Sequence, residues 1–140
     1  MAGSTIRLLP RTDYKLLAQS FIGGKDVRMV FARRIDTSQW REAILLARVH
    51  AVSPWNAGAQ ANLEVALDAY TEEDPSAIWA PPPTSLVTFI QGTDTPPAAK
   101  NAGLTSPFGP LVLFQWKLVM ATTPIDTTYS VSVDLNLKGD

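Results

Sequence analysis

The sequence predicts an all-β domain, an antiparallel β-sandwich with a jelly-roll arrangement of about eight strands. Two observations support this class. In most segments apolar side chains recur at every second position, which places them on one face of a strand. The eleven prolines and eight glycines lie nearly all between those segments, where they end strands and form turns. With 140 residues, the chain has the size of one such domain.

The amino-terminal segment, residues 1–24, is predicted to be either an extended arm or the first strand. Ile6, Leu8 and Leu9 supply its apolar side chains, and Pro10 stops any helix there. Both alternatives are open at the level of the sequence. Residues 25–140 are predicted to form the sandwich domain itself.

The sandwich domain opens with two predicted strands, "DVRMVFARR" and "EAILLARVHAV". The second of these, Glu42–Val52, is apolar at nearly every position before Arg48 and His50. Such a run is typical of a strand that is buried on both sides or for most of its length. A later run, "SLVTFIQ", is β-branched and aromatic and is also predicted to be a strand.

Residues 61–70 fit two different structures. Their Ala and Glu content favours a helix, whereas apolar and polar side chains also alternate as in a strand. The preceding "SPWNAGAQ" has the composition of a hairpin loop, which favours a strand that pairs with its predecessor. We therefore predict a strand, with a helix as the alternative.

The carboxyl-terminal part contains the two clearest strand patterns. "PLVLFQWKLVMA" places Phe114, Trp116 and Leu118 on one face, and Thr128–Lys138 alternates polar and apolar side chains without a break. Before them, Gly92–Pro110 is rich in Pro, Gly and Thr and is predicted to be a long loop. A loop of that length is expected to be functional or packed against a partner.

Residue types that carry common catalytic and metal chemistry are scarce. There is no cysteine, which excludes disulfides, zinc ribbons and a thiol nucleophile. The single histidine, His50, lies in an apolar strand without a nucleophile motif nearby, so we expect it to face solvent or a sheet edge. Residues 72–74 read as a solvated acidic turn rather than a calcium site. We expect a protein that is not an enzyme and binds no cofactor or metal.

The charge balance excludes further classes of partner. Twelve Lys and Arg against thirteen Asp and Glu give a formal charge of -1, whereas nucleic-acid-binding proteins usually carry a basic face. No run of basic residues adjoins an apolar stretch, as a membrane-surface segment would require. We expect neither nucleic acid nor a membrane as a partner.

The four tryptophans indicate where contacts could form. Trp116 lies in an alternating apolar face and is predicted to be in the core, whereas Trp40, Trp55 and Trp79 lie at strand ends or in loops. Tryptophan is enriched among the anchoring residues of protein interfaces. An anchoring role is therefore favoured, and a platform for sugar stacking is the alternative.

The order of four segments, "REAILLARVHAVS", "GAQANLEVALDAYTEEDPSAIW", "FGPLVLFQWKLV" and "YSVSVDLNLKGD", resembles small auxiliary proteins of tailed-bacteriophage particles. The resemblance covers roughly residues 27–140. It implies a virion structural protein that decorates or cements the head, assembled in the host cytoplasm. Its implied partners are the major capsid protein or other virion subunits, together with further copies of itself.

With that class of protein in view, five residues are the predicted partner interface: Ile6, Leu8, Leu9, Trp55 and Trp79. The first three would belong to an arm that docks on a neighbouring subunit. The alternative function is a carbohydrate-binding or receptor-binding β-sandwich, in which the exposed tryptophans would contact sugar.

Overall fold

A computed structural model describes residues 4–21, 26–32, 40, 42–55, 58–67, 84–105, 111–120 and 125–139 of the protein. These residues form eight strands, with a short 3-10 helix, Ala18–Ser20, after the first. The strands are β1 (Ser4–Leu16), β2 (Asp26–Ala32), β3 (Glu42–Ser53), β4 (Gln60–Leu67), β5 (Thr84–Ile90), β6 (Ala98–Thr105), β7 (Leu111–Val119) and β8 (Thr127–Lys138).

The strands form two four-stranded antiparallel sheets, in the orders β1-β8-β3-β6 and β2-β7-β4-β5. Strand β1 therefore pairs with β8, β2 with β7, β3 with β6 and β4 with β5. These pairs are those of one long antiparallel ribbon that has been rolled into two layers. Pairing of β3 with β8 and of β4 with β7 completes the sheets. This topology is a jelly roll, and the predicted fold class is confirmed.

The core lies between the sheets and is formed by the inward-facing set of each strand. On β8 every second side chain from Tyr129 to Leu137 is buried, as the alternating pattern predicts. On the facing sheet Trp116 is fully buried and packs against Phe89, with ring centroids 6.2 Å apart. Burial of each large apolar side chain stabilises the fold by about 1.5–3 kcal/mol. The prediction that Trp116 belongs to the core is confirmed.

Residues 60–67 form a strand, which resolves the choice between strand and helix for this segment. Leu63 and Val65 face the core, and β4 lies between β5 and β7 with hydrogen-bonded partners on both sides. Pairing on both sides satisfies the backbone groups that a helix would satisfy internally. Tertiary context thus overrides the helical propensity of Ala and Glu.

Two sequence interpretations require correction. The predicted loop 92–110 contains β6, which pairs along its length with β3 and forms one edge of its sheet. Strand β3 is also not buried on both faces: Ala43, Leu45, Ala47 and Val49 face the core, while the apolar side chains between them are only half-buried on the outer face.

Residues Ser4–Leu16, for which the sequence leaves an arm and a first strand open, form the edge strand β1. The strand pairs with β8 from Ser4 opposite Leu137 to Leu16 opposite Thr127, with two register shifts between Arg7 and Thr12. Among the described residues no helix has the length and hydropathy that crossing a membrane requires.

Candidate interaction face on the first sheet

The outer face of the β1-β8-β3-β6 sheet carries small polar side chains from β8 between longer side chains from β1 and β3. Ser130 and Ser132 belong to the set of β8 that points away from the core, yet they are only 3% and 5% exposed. Ser132 is paired with Arg48 of β3, and Ser130 with Asp13 of β1. Side chains from both neighbouring strands therefore cover the two hydroxyl groups.

β-Bulges on both sides of β8 bring basic side chains to these hydroxyl groups. A register shift between Val49 and Ala51 occurs at His50, whose Nε2 lies 2.9 Å from Ser132 Oγ. On β1 the register shifts between Leu9 and Thr12, and Arg11 Nε donates a hydrogen bond of 2.9 Å to Ser130 Oγ. Bulges redirect side chains in this way and are common next to functional sites.

Four basic side chains thus gather on this surface: Arg7, Arg11, Arg48 and His50, which we call the cationic face. Arg7 forms a salt bridge of 2.9 Å with Asp134, and this hydrogen bond and its charge raise the pKa of Arg7. Among the described residues no carboxylate lies within salt-bridge distance of Arg11 or Arg48. Two exposed guanidinium groups therefore remain without an acidic partner in the described part of the chain.

The pKa of His50 reflects the positive charge of the cationic face. Burial lowers the pKa of His50 from its usual 6.5, and the positive charges of Arg11, Arg48 and Arg7 lower it further, against a smaller opposing effect of Asp13. The imidazole is therefore uncharged at neutral pH. The charge of the face at that pH comes from the guanidinium groups.

A shallow cleft adjoins the cationic face at the edge of the sheet. It has a volume of about 190 Å³ and is lined by Arg48, His50 and residues 97–99 at the start of β6. The β6 side is formed by the small side chains of Ala98 and Ala99, which leave the guanidinium of Arg48 accessible. The arrangement can bind an anionic group such as a carboxylate, for which arginine offers two parallel N–H donors.

The outer face of the second sheet has a different polar cluster, centred on the buried carboxylate of Glu64. Lys117 Nζ lies 3.4 Å from Oε1, and Arg28 Nε lies 3.8 Å from Oε2. Gln115 Nε2 donates a hydrogen bond of 3.2 Å to Oε2. Because its partners compensate the charge within the fold, this cluster stabilises the sheet and offers little to a ligand.

Three of the predicted interface residues pack against their own domain. Leu9 is a core residue, and Ile6 and Leu8 are partly buried against the core. The pairing of β1 with β8 places them there, since it turns the apolar side chains of the segment toward the second sheet. Whether their remaining exposed surface contacts a partner stays a prediction.

Trp55 is also anchored within the domain. Its Nε1 donates a hydrogen bond of 3.0 Å to the Asp94 carbonyl oxygen, and its ring meets Tyr129 edge-on at 6.3 Å. The indole is partly buried against the core, which leaves less of it for stacking on a sugar. Trp40 is likewise partly buried, and Trp79 lies outside the described residues.

Within the described residues, His, Asp and Glu form no group of three or more that could hold a metal ion. The cationic face was not predicted as a site, although Arg48 and His50 interrupt an otherwise apolar strand. That interruption is the sequence feature that could have indicated the cationic face. Arg11, Ser130 and Ser132 come from strands distant in sequence and join the face only through the sheet register.

Comparison with known proteins supports the fold. No protein-family model matches the sequence, and no curated protein matches it. Among solved structures, the VP2 subviral particle of infectious bursal disease virus aligns with a TM-score of 0.54 and 12% identity over 97% of this chain and 32% of that chain. T=1 particles derived from the same virus align with a TM-score of 0.51 and 11% identity over 97% and 31%.

The chain thus spans about a third of the length of the VP2 chains it matches. At such low identity the likeness concerns the path of the backbone. It shows that this jelly roll is similar to one found within viral capsid proteins.

Proposed function

We propose that the protein is a non-enzymatic structural component of a virion, held in the particle by protein–protein contacts. The observation that carries this proposal is the alignment of 97% of the chain with VP2 chains whose structures are those of assembled particles. Jelly rolls are common in viral capsids, where the stacked sheets provide a rigid block with loops at both ends.

Features of the surface support a role among neighbouring subunits. Charged residues make up 18% of the chain, below the roughly 25% of an average soluble domain. On the outer face of the first sheet, the half-buried Ile44 and Leu46 lie on the same strand as Arg48. A surface with apolar residues beside arginine is typical of a protein interface.

The finer proposal is that the protein decorates or cements the head of a tailed phage. Each copy would contact the major capsid protein or other virion subunits, and many weak contacts would together stiffen the shell. Ile6, Leu8, Leu9, Trp55 and Trp79 remain the proposed contact residues, and the virion, assembled in the host cytoplasm, remains the proposed location.

Quantitative mass spectrometry of purified particles tests the proposal. Particles are isolated on a density gradient from cells that produce the protein, and its copy number is measured relative to the most abundant shell protein. A fixed ratio across the particle peak is expected, and absence from the particles would refute a virion role. Electron microscopy after release of the protein by mild denaturant separates the finer alternatives, because a shell survives the loss of a decorating protein.

A further inference from the structure

The distribution of charge along the chain is uneven. Residues 1–48 contain nine Lys and Arg and four Asp and Glu, a formal charge of +5. Residues 49–99 contain no Lys or Arg and six Asp and Glu, a formal charge of -6. The near-neutral net charge of the whole chain is therefore the sum of a positive amino-terminal part and a negative middle part.

The negative part is concentrated in a short acidic segment, residues 68–74. It contains Asp68, Glu72, Glu73 and Asp74 without a basic residue among them. It directly follows Leu67, the last residue of β4. Carboxylates at this density repel one another and favour contact with a basic surface.

The acidic segment and the cationic face begin at opposite ends of the sandwich. Arg48 and His50 lie in the half of β3 that ends at Ser53, where the chain crosses to the start of β4 at Gln60. Strand β4 then runs back along the other sheet, so the chain leaves Leu67 at the far end.

The cationic face has the chemistry to receive such a segment. Arg11 and Arg48 are exposed and lack an acidic partner among the described residues. Hydrogen bonding to Ser130 fixes the guanidinium of Arg11, and the cleft beside Arg48 has room for a carboxylate side chain. Fixing a guanidinium in advance reduces the entropy that is lost on binding.

We propose that the cationic face binds the acidic segment of a second copy of this chain, through carboxylate pairs with Arg11 and Arg48. The two surfaces are complementary, so their pairing either closes a two-fold dimer with two reciprocal contacts or continues head-to-tail into a ring or an open chain of subunits. The proposal supplies a subunit contact and rests on the proposed structural role. Purified protein tests it apart from any particle, so the two can fail independently.

Sedimentation velocity of the purified full chain over a range of concentrations is the first measurement. Self-association that rises with concentration at low salt and weakens at high salt is expected, because salt screens exposed ion pairs. The double variants Arg11→Glu/Arg48→Glu and Glu72→Lys/Glu73→Lys should each weaken self-association at least about tenfold. Lys138→Glu, a matched charge reversal at the far end of the same sheet face, should leave association unchanged.

Mixing the two double variants provides the decisive test. Each then carries the surface that complements the other, so the mixture should associate where neither variant does alone. A mixture that stays monomeric, or a wild-type chain that is monomeric at all concentrations at low salt, would overturn the proposal. Circular dichroism and melting temperatures of the variants establish that each is folded. Particle incorporation measured separately shows whether the structural role survives either outcome.

Discussion

Replacing Lys117 with Met tests how strongly the buried carboxylate of Glu64 depends on its basic partners. The carboxylate is 3% exposed, whereas Lys117 is 23% and Arg28 49% exposed. At the observed separation of 3.4 Å, the attraction between Lys117 and Glu64 is about 5 kcal/mol with an effective dielectric constant of about 20. Desolvation of the two groups offsets much of that attraction.

The expected cost follows from what each substitution leaves behind. Lys117→Met leaves the buried carboxylate with the neutral donor Gln115 and, as its one cation, the more distant and more exposed Arg28. It should cost about 2–3 kcal/mol of unfolding free energy. For a chain of 140 residues this loss corresponds to about 7–10 °C in melting temperature. Glu64→Gln leaves two cations that can reach water, and should cost only about 1 kcal/mol.

Urea unfolding followed by tryptophan fluorescence measures these free energies, with the double variant completing the cycle. Glu64→Gln introduced into Lys117→Met removes the uncompensated charge and should restore about 1–2 kcal/mol. Lys15→Met, at an exposed lysine of β1, is the control and should cost less than about 0.5 kcal/mol. Equal single costs that add in the double variant would refute the reasoning.

Three further predictions concern backbone strain and pH. Gly92 has a φ of +91°, so Gly92→Ala should destabilise the fold by about 1–2 kcal/mol. Gly103 in β6 has open space around the position of a Cβ, so Gly103→Ala should stabilise the fold by about 0.5 kcal/mol. Chemical unfolding measures both free energies. The pKa of His50 is lowered from 6.5 in the folded state, so as the pH falls the imidazole is protonated in the unfolded chain before it is protonated in the folded protein. The stability that uncharged His50 contributes above pH 6.5 is therefore lost as the pH falls through the pKa of the folded state. His50→Gln should reduce the drop in melting temperature between neutral pH and pH below 6. Burial raises the pKa of Tyr129 from 10.0 to about 12, so stability should fall as the pH rises above 10, and Tyr129→Phe should reduce that fall.

Each of these predictions has a contradicting outcome. Equal effects of the two glycine substitutions would show that φ at Gly92 imposes no constraint. An unchanged acid dependence in His50→Gln would mean that other groups carry it. For Tyr129, absorbance at 295 nm that shows every phenol ionising near pH 10 in the folded protein would contradict burial of its hydroxyl group.

The strands that the sequence predicts well are those with a buried face and strong alternation. In β8 and β7 every second side chain is large and apolar, so the face directed to the core can be read directly from the sequence. Strand β6 could not be predicted in this way, since "AAKNAGLT" contains mainly residues that are poor strand formers. It exists because β3 offers a complete row of backbone partners from Glu42 to Val49.

The cationic face could be predicted only in part for a related reason. Arg48 and His50 are two residues apart on one strand, and regular alternation predicts that they share a face. Arg11 reaches them from a strand on the other side of β8, and its position depends on bulges in β1 that have no clear sequence signal. Long-range pairing and bulge placement are tertiary properties, and local periodicity carries little information about them.

The pairing of β1 with β8 sets how the domain responds to force. Ser4 and Leu137 are opposite each other, so tension on the two chain ends pulls apart neighbouring strands at one corner. Antiparallel hydrogen bonds lie across the strands, and such tension loads them one pair at a time. Pulling along the ends should therefore peel the sheet open at low force. Load that enters through the sheet faces is shared by both layers, so the domain should resist compression across its faces much better than tension on these two strands.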